Sequence, residues 1–290
     1  MQQVVHDPDR MRALVNEARA AGQRVGFVPT MGALHAGHTS LVARAARECD
    51  RVAVSIFVNP TQFGPQEDFS RYPRTRAADT ALLAAHGVDW IYAPEVSNVY
   101  PPGDATRIVV GGPAVLFEGE RRPGHFDGVA TVVCKLFLAV PADTAYFGAK
   151  DWQQTLVVKR LVRDLGLPIR IIVCPTMREP DGLAMSSRNA YLSVADRPRA
   201  VGLSKSLHQA AGLWSAGADT ATIEQAMRET LSAHGVVVDY AALADPESLE
   251  PVPHDAARAV ALVAGRLGST RLIDNMELPA RVAPQQDTKR

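Results

Sequence analysis

The sequence predicts an α/β protein whose first part contains a parallel β-sheet covered by helices. Short, uninterrupted apolar runs alternate with longer segments of helical periodicity. Such runs are typical of strands that are buried on both faces, as in a parallel sheet. The pattern changes after about residue 176, where two helical segments precede three apolar segments. We therefore predict a Rossmann-like domain at 1–176 and a smaller α+β domain at 177–290.

Each element of the first domain follows from its own apolar spacing. Strands are predicted at Val25–Pro29, Val52–Val58, Val88–Tyr92, Thr144–Phe147 and Ile169–Cys174. Helices are predicted at His38–Cys49, Thr75–Ala85, Gly128–Val140 and Trp152–Leu165. In the second domain, helices are predicted at 196–214 and 220–234, apolar segments at 236–243, 259–263 and 270–274, and a polar, disordered end from about residue 282.

Composition excludes several classes of protein. The 290 residues include 31 Lys plus Arg and 31 Asp plus Glu, so there is no global positive field to attract nucleic acid or a membrane. The three cysteines lie far apart without a C-x-x-C pair, which argues against a zinc site and a disulfide framework. The start is polar and no apolar run reaches the ~18 residues of a membrane span. We expect a cytoplasmic protein.

A candidate phosphate site follows the first predicted strand, in the segment PTMGALHAGH at 29–38. A helix N-terminus offers unpaired N–H groups and partial positive charge. Gly32 permits a tight turn, and Gly37 permits close approach of a ligand to the backbone. His35 and His38 are three residues apart, so both rings can face one ligand and steady the charge on a leaving pyrophosphate. Two structural loop histidines are the alternative, and a third zinc ligand is not evident.

Polar side chains also follow two other predicted strands, where ligands of parallel sheets bind. Asn59 and Gln62 are neutral amides that suit a hydroxyl or a carboxylate, although Asn-Pro is also a common turn. Lys150 suits a phosphate as a point charge, and Gln154 lies one helical turn beyond it. Asp151 could cap the following helix or accept from a ribose hydroxyl.

Two further segments carry polar groups. The run Met185-Ser186-Ser187-Arg188 could clamp a phosphate with two hydroxyls and a guanidinium, or simply form a polar turn. The run 118–126, EGERRPGHF, is expected to be a solvated loop, with a mobile flap as the alternative. Glu118 in that run could help to hold a magnesium ion or its waters.

Together, the early H-x-G-H and the late M-S-S-R resemble the two signatures of the nucleotidyltransferase superfamily that includes class I aminoacyl-tRNA synthetases. The finer resemblance is to the pantothenate synthetase (pantoate–β-alanine ligase) family. It is carried by PTMGALHAGH, SIFVNPTQF, RYPRT, RRPGHFDGV, FGAKDWQQ and PTMREPDGLAMSSRN, and continues into LGSTRLIDN at 267–275.

The resemblance implies a two-step reaction. ATP, with magnesium, and (R)-pantoate give pantoyl-adenylate and pyrophosphate, and β-alanine then displaces AMP to form pantothenate. It implies that the second domain closes over the ATP site and that the protein is a homodimer. It implies a catalytic set of four residues: His38, His35, Lys150 and Arg188. It implies that pantoate and β-alanine contact Gln62, Gln154 and Asn59. No metal site built by protein side chains is expected. The implied ATP contacts are Met31, Gly32, His35, His38, Gly148, Ala149, Lys150, Asp151, Met177, Met185, Ser186, Ser187 and Arg188.

Two residues depart from the family pattern. Ala149 stands where many members have Glu, and Trp152 replaces a smaller aromatic residue. Because Lys150 and Asp151 are intact, we expect activity to survive.

Two other functions remain open on sequence grounds. One is a related nucleotidyltransferase that releases a nucleotide-linked product, and the other is a catalytically silent ATP-binding homologue. A tRNA synthetase is disfavoured by the neutral charge and by the lack of a recognisable tRNA-binding region.

Overall fold

The computed structural model describes residues 2–65, 67–253 and 256–281, and these form two compact units that divide between Met177 and Arg178. The polar end predicted from about residue 282 lies outside the described residues.

The first unit contains a six-stranded parallel sheet, as the apolar runs predict. Its strands lie in the order β1-β4-β3-β2-β5-β6, so β2, β3 and β5 are neighbours at its centre. The strands are β1 (Gln3–Val5), β2 (Val25–Thr30), β3 (Arg51–Ile56), β4 (Trp90–Tyr92), β5 (Thr144–Gly148) and β6 (Arg170–Cys174).

Helices cover both faces of this sheet. They are α1 (Pro8–Ala20), α2 (Ala36–Glu48), α3 (Arg76–Ala85), the short α4 (Val96–Val99) and α5 (Glu118–Arg121), α6 (His125–Ala139) and α7 (Trp152–Asp164). Strand residues alternate between two apolar clusters: Phe27 packs with α1, α6 and α7, whereas Val28 packs with α2 and α3. This alternation is the period of two that a strand imposes on its side chains.

The second unit places two helices against an antiparallel sheet, as the apolar segments after residue 176 predict. Helices α8 (Gly202–Ser215) and α9 (Thr220–Ala233) supply Leu207, Trp214 and Met227 to its core. The strands β7 (Val237–Ala244), β8 (Val260–Leu267) and β9 (Thr270–Glu277) pair in the order β7-β8-β9.

Several predicted boundaries are wrong by a few residues, and some elements of the described residues were not predicted, the short helices α4 and α5 among them. Helix α6 begins at His125 rather than Gly128, α8 begins at Gly202 rather than 196, and β4 begins at Trp90 rather than Val88. Strand β1 and helix α1 were not predicted. The Asp7 side chain caps α1 by accepting from the backbone N–H of Arg10.

Candidate active site

The three polar loops of the first unit leave the sheet at one edge. Strands β3, β2 and β5 are adjacent and parallel, so the loops that follow them emerge side by side. These loops carry the segments 31–38, 57–62 and 149–154. The sequence prediction that the chemistry follows the strand ends therefore gives one contiguous candidate site.

A tight turn joins β2 to α2 and is fixed from outside by Asp79. Gly32 has φ +82° and Ala33 has φ +50°, both in the left-handed region that glycine adopts most easily. Asp79, buried on helix α3, accepts from the backbone N–H of Ala33 at 3.0 Å and of Leu34 at 2.9 Å. Thr75 donates its hydroxyl to the same carboxylate. The carboxylate therefore holds the turn that presents the two histidines.

His35 and His38 form the N-terminal cap of helix α2. His35 is the N-cap residue, and its Nδ1 accepts from the backbone N–H of Gly37 at 3.1 Å. The backbone N–H of His35 in turn donates to Nδ1 of His38 at 3.3 Å. The ring centroids are 4.1 Å apart. Because both Nδ1 atoms act as acceptors, each neutral ring carries its proton on Nε2 and can donate from there.

His38 is held in its neutral form. Burial, with a further contribution from His35, lowers the pKa of His38 from 6.5 to about 3. Asp151 raises the pKa and Lys150 lowers it, which shows that the loop after β5 lies close to this ring. Nζ of Lys150 is 3.7 Å from Oδ1 of Asp151. The site therefore combines the neutral N–H donor of His38 with a nearby cation.

Asp151 occupies the N-cap position of α7 without capping it. Its side chain makes no hydrogen bond to the start of the helix, so the capping role considered for Asp151 is wrong. The carboxylate is about half exposed.

Asn59 and Gln62 lie in the loop after β3, where Asn59 caps a 3₁₀ turn formed by Pro60–Gln62. Both are buried. Nδ2 of Asn59 donates to Oε1 of Gln62 at 3.1 Å, and Nε2 of Gln62 lies 3.4 Å from Sδ of Met31. Helix α6 packs directly on this turn, since a Cβ at Gly128 would lie 2.4 Å from the carbonyl oxygen of Thr61. Glycine permits that close approach.

The two neighbouring glutamines of α7 differ in their surroundings. Gln153 is buried, its Oε1 accepts from the backbone N–H of Glu118, and its Nε2 donates to two backbone carbonyls at 2.7 Å. Gln154 is only half-buried. The Gln153 side chain therefore uses its hydrogen bonds within the fold.

The segment 118–126 is not the solvated loop that its charges predict. It contains α5 and the start of α6, and Glu118, His125 and Phe126 are buried. Arg122 forms an ion pair with Glu67, with Nε–Oε1 and Nη2–Oε2 distances of 2.6 Å. Glu120 and Arg121 are exposed, but Glu118 and Arg122 are drawn into the protein, and the partner of Arg122 is a residue outside the segment, which the sequence alone does not reveal.

His125 connects that ion pair to the backbone of Gln62. Its Nδ1 lies 2.8 Å from the carbonyl oxygen of Gln62, and its Nε2 lies 3.0 Å from Nη1 of Arg122. Burial and the Arg122 charge lower the pKa of His125 to about 4. The neutral ring therefore donates from Nδ1 and accepts at Nε2.

The segment Met185–Arg188 belongs to the second unit. Ser186 caps a 3₁₀ helix at Ser187–Tyr191, and its Oγ accepts from the backbone N–H of Arg188. The preceding chain is anchored on β9, because Arg178 pairs with the buried Asp274 at 2.6 Å and 3.1 Å. Met177 ends the first unit and is partly exposed.

Within the described residues, no group of three or more His, Cys, Asp or Glu side chains is arranged to hold a metal ion. Glu118, which was considered as a magnesium contact, lies 3.8 Å from Nη1 of Arg122 and is almost fully buried. No described helix is long and apolar enough to cross a membrane.

The model of the pantoate-beta-alanine ligase family matches residues 3–277. The chain belongs to that family. A pantothenate synthetase of Xanthomonas axonopodis pv. citri is 50% identical over 279 residues, which cover 96% of this chain and all of the relative. Its counterpart from Acidiphilium cryptum is 52% identical over 95% of this chain and 99% of the relative.

Solved structures of the family agree with the architecture. The pantothenate synthetase of Thermus thermophilus superposes with a TM-score of 0.91 at 49% identity, covering 96% of this chain and all of that one. A pantoate-beta-alanine ligase from Francisella tularensis, complexed with beta-gamma ATP and beta-alanine, gives a TM-score of 0.80 at 35% identity, covering 95% and 97%. The fold class predicted from the apolar pattern, a Rossmann-like parallel-sheet domain with a smaller α+β domain, is confirmed.

Sequence reasoning did not single out several groups that build the site of this ligase. Asp79 holds the histidine turn, Glu67 and His125 surround Arg122, and Tyr100 contacts Asn59. For Asp79 a signal was present, because it shares the buried face of α3 with Leu83, four residues on. His125 lies in the run 118–126, which was noted for its charges, whereas Glu67 and Tyr100 reach the site from distant parts of the chain and leave no local pattern.

Proposed function

We propose that this ligase condenses (R)-pantoate with β-alanine at the expense of ATP, through a pantoyl-adenylate. The observation that carries the proposal is the pair of histidines, His35 and a neutral His38, whose Nδ1 atoms both accept backbone N–H bonds next to Lys150 at the carboxyl ends of the central strands. Membership of the pantoate–β-alanine ligase family supplies the substrates.

In the first step, a pantoate carboxylate oxygen attacks the α-phosphorus of ATP. The bond between that phosphorus and the oxygen bridging to the β-phosphate breaks, and pyrophosphate leaves with the electron pair. Negative charge grows on the leaving oxygens, where fixed N–H donors and a cation stabilise the transition state. His38 and His35 act as those donors and Lys150 as the cation. A pKa of about 3 makes His38 a hydrogen-bond donor rather than a proton source at neutral pH.

Magnesium is proposed to enter with ATP. Magnesium in proteins usually keeps several waters and binds one or two carboxylates together with substrate phosphates. Bound there, it neutralises phosphate charge.

Gln62 and Gln154 are proposed to bind pantoate. Amides suit a substrate with one carboxylate and two hydroxyls, since they donate and accept without a full charge. Asn59, predicted to line the site, is fully buried and bonded to Gln62, which supports an indirect role in pantoate binding.

In the second step, the neutral amine of β-alanine attacks the acyl carbon of the adenylate. The bond between that carbon and the phosphate oxygen breaks, AMP leaves, and the amine loses a proton to form the amide. A free carboxylate is a poor electrophile, so the adenylate supplies the leaving group.

The remaining predicted contacts are proposed for ATP: Met31, Gly32, Gly148, Ala149, Asp151, Met177, Met185, Ser186, Ser187 and Arg188. We propose that Arg188, with the two serines, binds phosphate, and that the second unit closes over the ATP site. The enzyme is proposed to be a homodimer, as the resemblance to the family implies. A cytoplasmic location is proposed because ATP is consumed there.

The test follows pyrophosphate, AMP and amide with ATP, magnesium and pantoate, with and without β-alanine. We expect pyrophosphate with pantoate alone, and AMP with amide only when β-alanine is added. Absence of pyrophosphate in both conditions, from folded protein that binds ATP, would contradict the proposal and favour another acid or a silent homologue.

A further inference from the structure

A hydrogen-bond chain runs from Tyr100 through Asn59 to Gln62. The Tyr100 hydroxyl donates to Oδ1 of Asn59 at 2.8 Å, and the Thr61 hydroxyl donates to the same oxygen at 2.9 Å. On the other side of the amide, Nδ2 of Asn59 donates to Oε1 of Gln62 at 3.1 Å and to the carbonyl oxygen of Gly128 at 3.2 Å. Both ends of the Asn59 amide are therefore occupied.

These contacts fix which way the Asn59 amide faces. The oxygen accepts from the two hydroxyls and, at 3.3 Å, from the backbone N–H of Thr61, whereas the nitrogen donates to the two carbonyl-type oxygens. Hydroxyls can also accept, so the backbone N–H of Thr61 and the carbonyl oxygen of Gly128 are the partners that only this orientation satisfies. A reversed amide would set oxygen against oxygen at Gln62 and at Gly128. Asn59 is 1% exposed, so water cannot compensate for the reversed pairing.

The orientation of Asn59 in turn fixes Gln62. Oε1 of Gln62 accepts from Asn59, so its NH₂ group faces away from Asn59, on the side of Met31. Presented this way, Gln62 meets a ligand as a hydrogen-bond donor. Such a donor suits a carboxylate or hydroxyl oxygen, whereas an outward Oε1 would repel a carboxylate.

Tyr100 is itself held in place and keeps its proton. Nζ of Lys135 lies 4.9 Å from the centre of the tyrosine ring and donates to the carbonyl oxygen of Val99 at 2.8 Å. Burial raises the pKa of Tyr100. The hydroxyl therefore remains a donor throughout the physiological range.

We propose that Tyr100 is a positioning residue for pantoate: acting through Asn59, it holds Gln62 with the NH₂ group toward the substrate. This inference rests on the proposed function, in which Gln62 binds pantoate. Without the Tyr100 hydroxyl, the Asn59 oxygen keeps only the donors of Thr61, and reversal of both amides becomes less costly. The effect falls on pantoate recognition and leaves ATP binding unchanged.

The first test is Tyr100→Phe, which removes one oxygen atom and keeps the ring. We expect the KM for pantoate to rise about 5- to 10-fold, the loss of roughly one hydrogen bond, with the KM for ATP unchanged. Thr61→Val removes the other hydroxyl from the same Asn59 oxygen and serves as a second variant with the same expected direction.

The matched control is Tyr146→Phe. The Tyr146 hydroxyl is also hydrogen-bonded, to Glu48 at 2.9 Å, but at the far end of helix α2 from the histidine pair. Its removal tests whether loss of any buried phenolic hydroxyl disturbs the enzyme. We expect the pantoate KM of this variant to match the wild type.

A double-mutant cycle separates positioning from a general structural effect. If Tyr100 acts through Gln62, then Tyr100→Phe combined with Gln62→Ala has the pantoate KM of Gln62→Ala alone. Additive effects, or an unchanged pantoate KM in both Tyr100→Phe and Thr61→Val, would overturn the inference. Wild-type protein that releases no pyrophosphate with pantoate would instead refute the proposed function, so the two failures are distinguishable.

Discussion

The backbone nitrogen of His35 lies 3.3 Å from Nδ1 of His38, so one histidine of the candidate site fixes the tautomer of the other. The backbone N–H occupies Nδ1, which leaves the proton of the neutral His38 ring on Nε2. This one hydrogen bond therefore caps the helix and also leaves the Nε2–H of His38 available as a donor.

Replacing His38 by Ala removes one of the two Nε2–H donors. We expect pyrophosphate release to slow by about 100-fold or more, as for loss of one donor to a developing oxyanion. Single-turnover pyrophosphate release from ATP and pantoate measures this step. His86→Ala, at the C-terminal end of α3, is the control and is expected to retain the wild-type rate. A near-normal rate for His38→Ala would remove the residue from the mechanism.

The neutral state of the His38 ring predicts how the activity of the enzyme depends on pH. With a pKa of about 3 in the free enzyme, the ring is neutral above about pH 5 and no activity change between pH 5.5 and 8 arises from its titration. An NMR titration of the ring proton, assigned by its absence in His38→Ala, should show no shift over that range. A His38 titration near pH 6.5 would contradict the neutral-donor role.

Asp79→Asn should disorganise the turn that carries the histidines. Asparagine retains one acceptor oxygen, so one of the backbone N–H groups of Ala33 and Leu34 loses its partner. We expect about a 10-fold rise in the KM for ATP, from roughly one to two hydrogen bonds. The control is Asp164→Asn at the exposed end of α7. Equal KM values for ATP in Asp79→Asn and Asp164→Asn would refute the role of Asp79.

Glu67→Gln should destabilise the protein in a pH-dependent way. Burial raises the pKa of Glu67, but hydrogen bonds and the charge of Arg122 outweigh it and leave the pKa below 4.5. The ion pair therefore stabilises the fold above about pH 4.5, and this contribution declines as pH falls through the folded-state pKa.

Urea unfolding at pH 7 and at pH 4 measures the effect of Glu67→Gln. We expect a loss of about 1–3 kcal/mol at pH 7 and a smaller loss at pH 4. Glu229→Gln, on the exposed side of α9, is the control. A difference in unfolding free energy between wild type and Glu67→Gln that is larger at pH 4 than at pH 7 would contradict this expectation.

Asp274→Asn tests the anchor of the Met185–Arg188 segment. Asp274 is 2% exposed and bonds both Nη atoms of Arg178, so its loss leaves a guanidinium poorly paired. We expect a loss of about 3 kcal/mol in the unfolding free energy. Glu277→Gln breaks the exposed pair with Arg258 and should cost less than about 1 kcal/mol. Similar losses of unfolding free energy in Asp274→Asn and Glu277→Gln would contradict the role of Asp274 as an anchor.

The sheet was predictable because its strands are buried on both faces. Val52, Val54 and Ile91 lie in apolar runs whose meaning depends little on distant contacts. Helix α1 also carried a usable signal, in its Asp7 cap and the buried spacing of Met11, Val15 and Ala18. The error at 118–126 had a different origin, because the charges of Glu118 and Arg122 are satisfied inside the protein.

The candidate site was predictable where its groups directly follow strands. His35, Gln62 and Lys150 were found from strand ends and motif spacing, but the residues that hold such groups were not. Tyr100 is 41 positions from Asn59, and a hydrogen bond over that separation produces no periodicity. Sequence patterns report local geometry, whereas the supporting contacts are made by the tertiary fold.

The close packing of helix α6 on the Gln62 turn restricts which mutations the gene can tolerate. Every residue that a single-nucleotide change can substitute for glycine has at least a Cβ, and at position 128 that atom would lie 2.4 Å from the Thr61 carbonyl oxygen. Codon 128 should therefore be a point of strong purifying selection, although its residue has no side chain with which to touch a substrate.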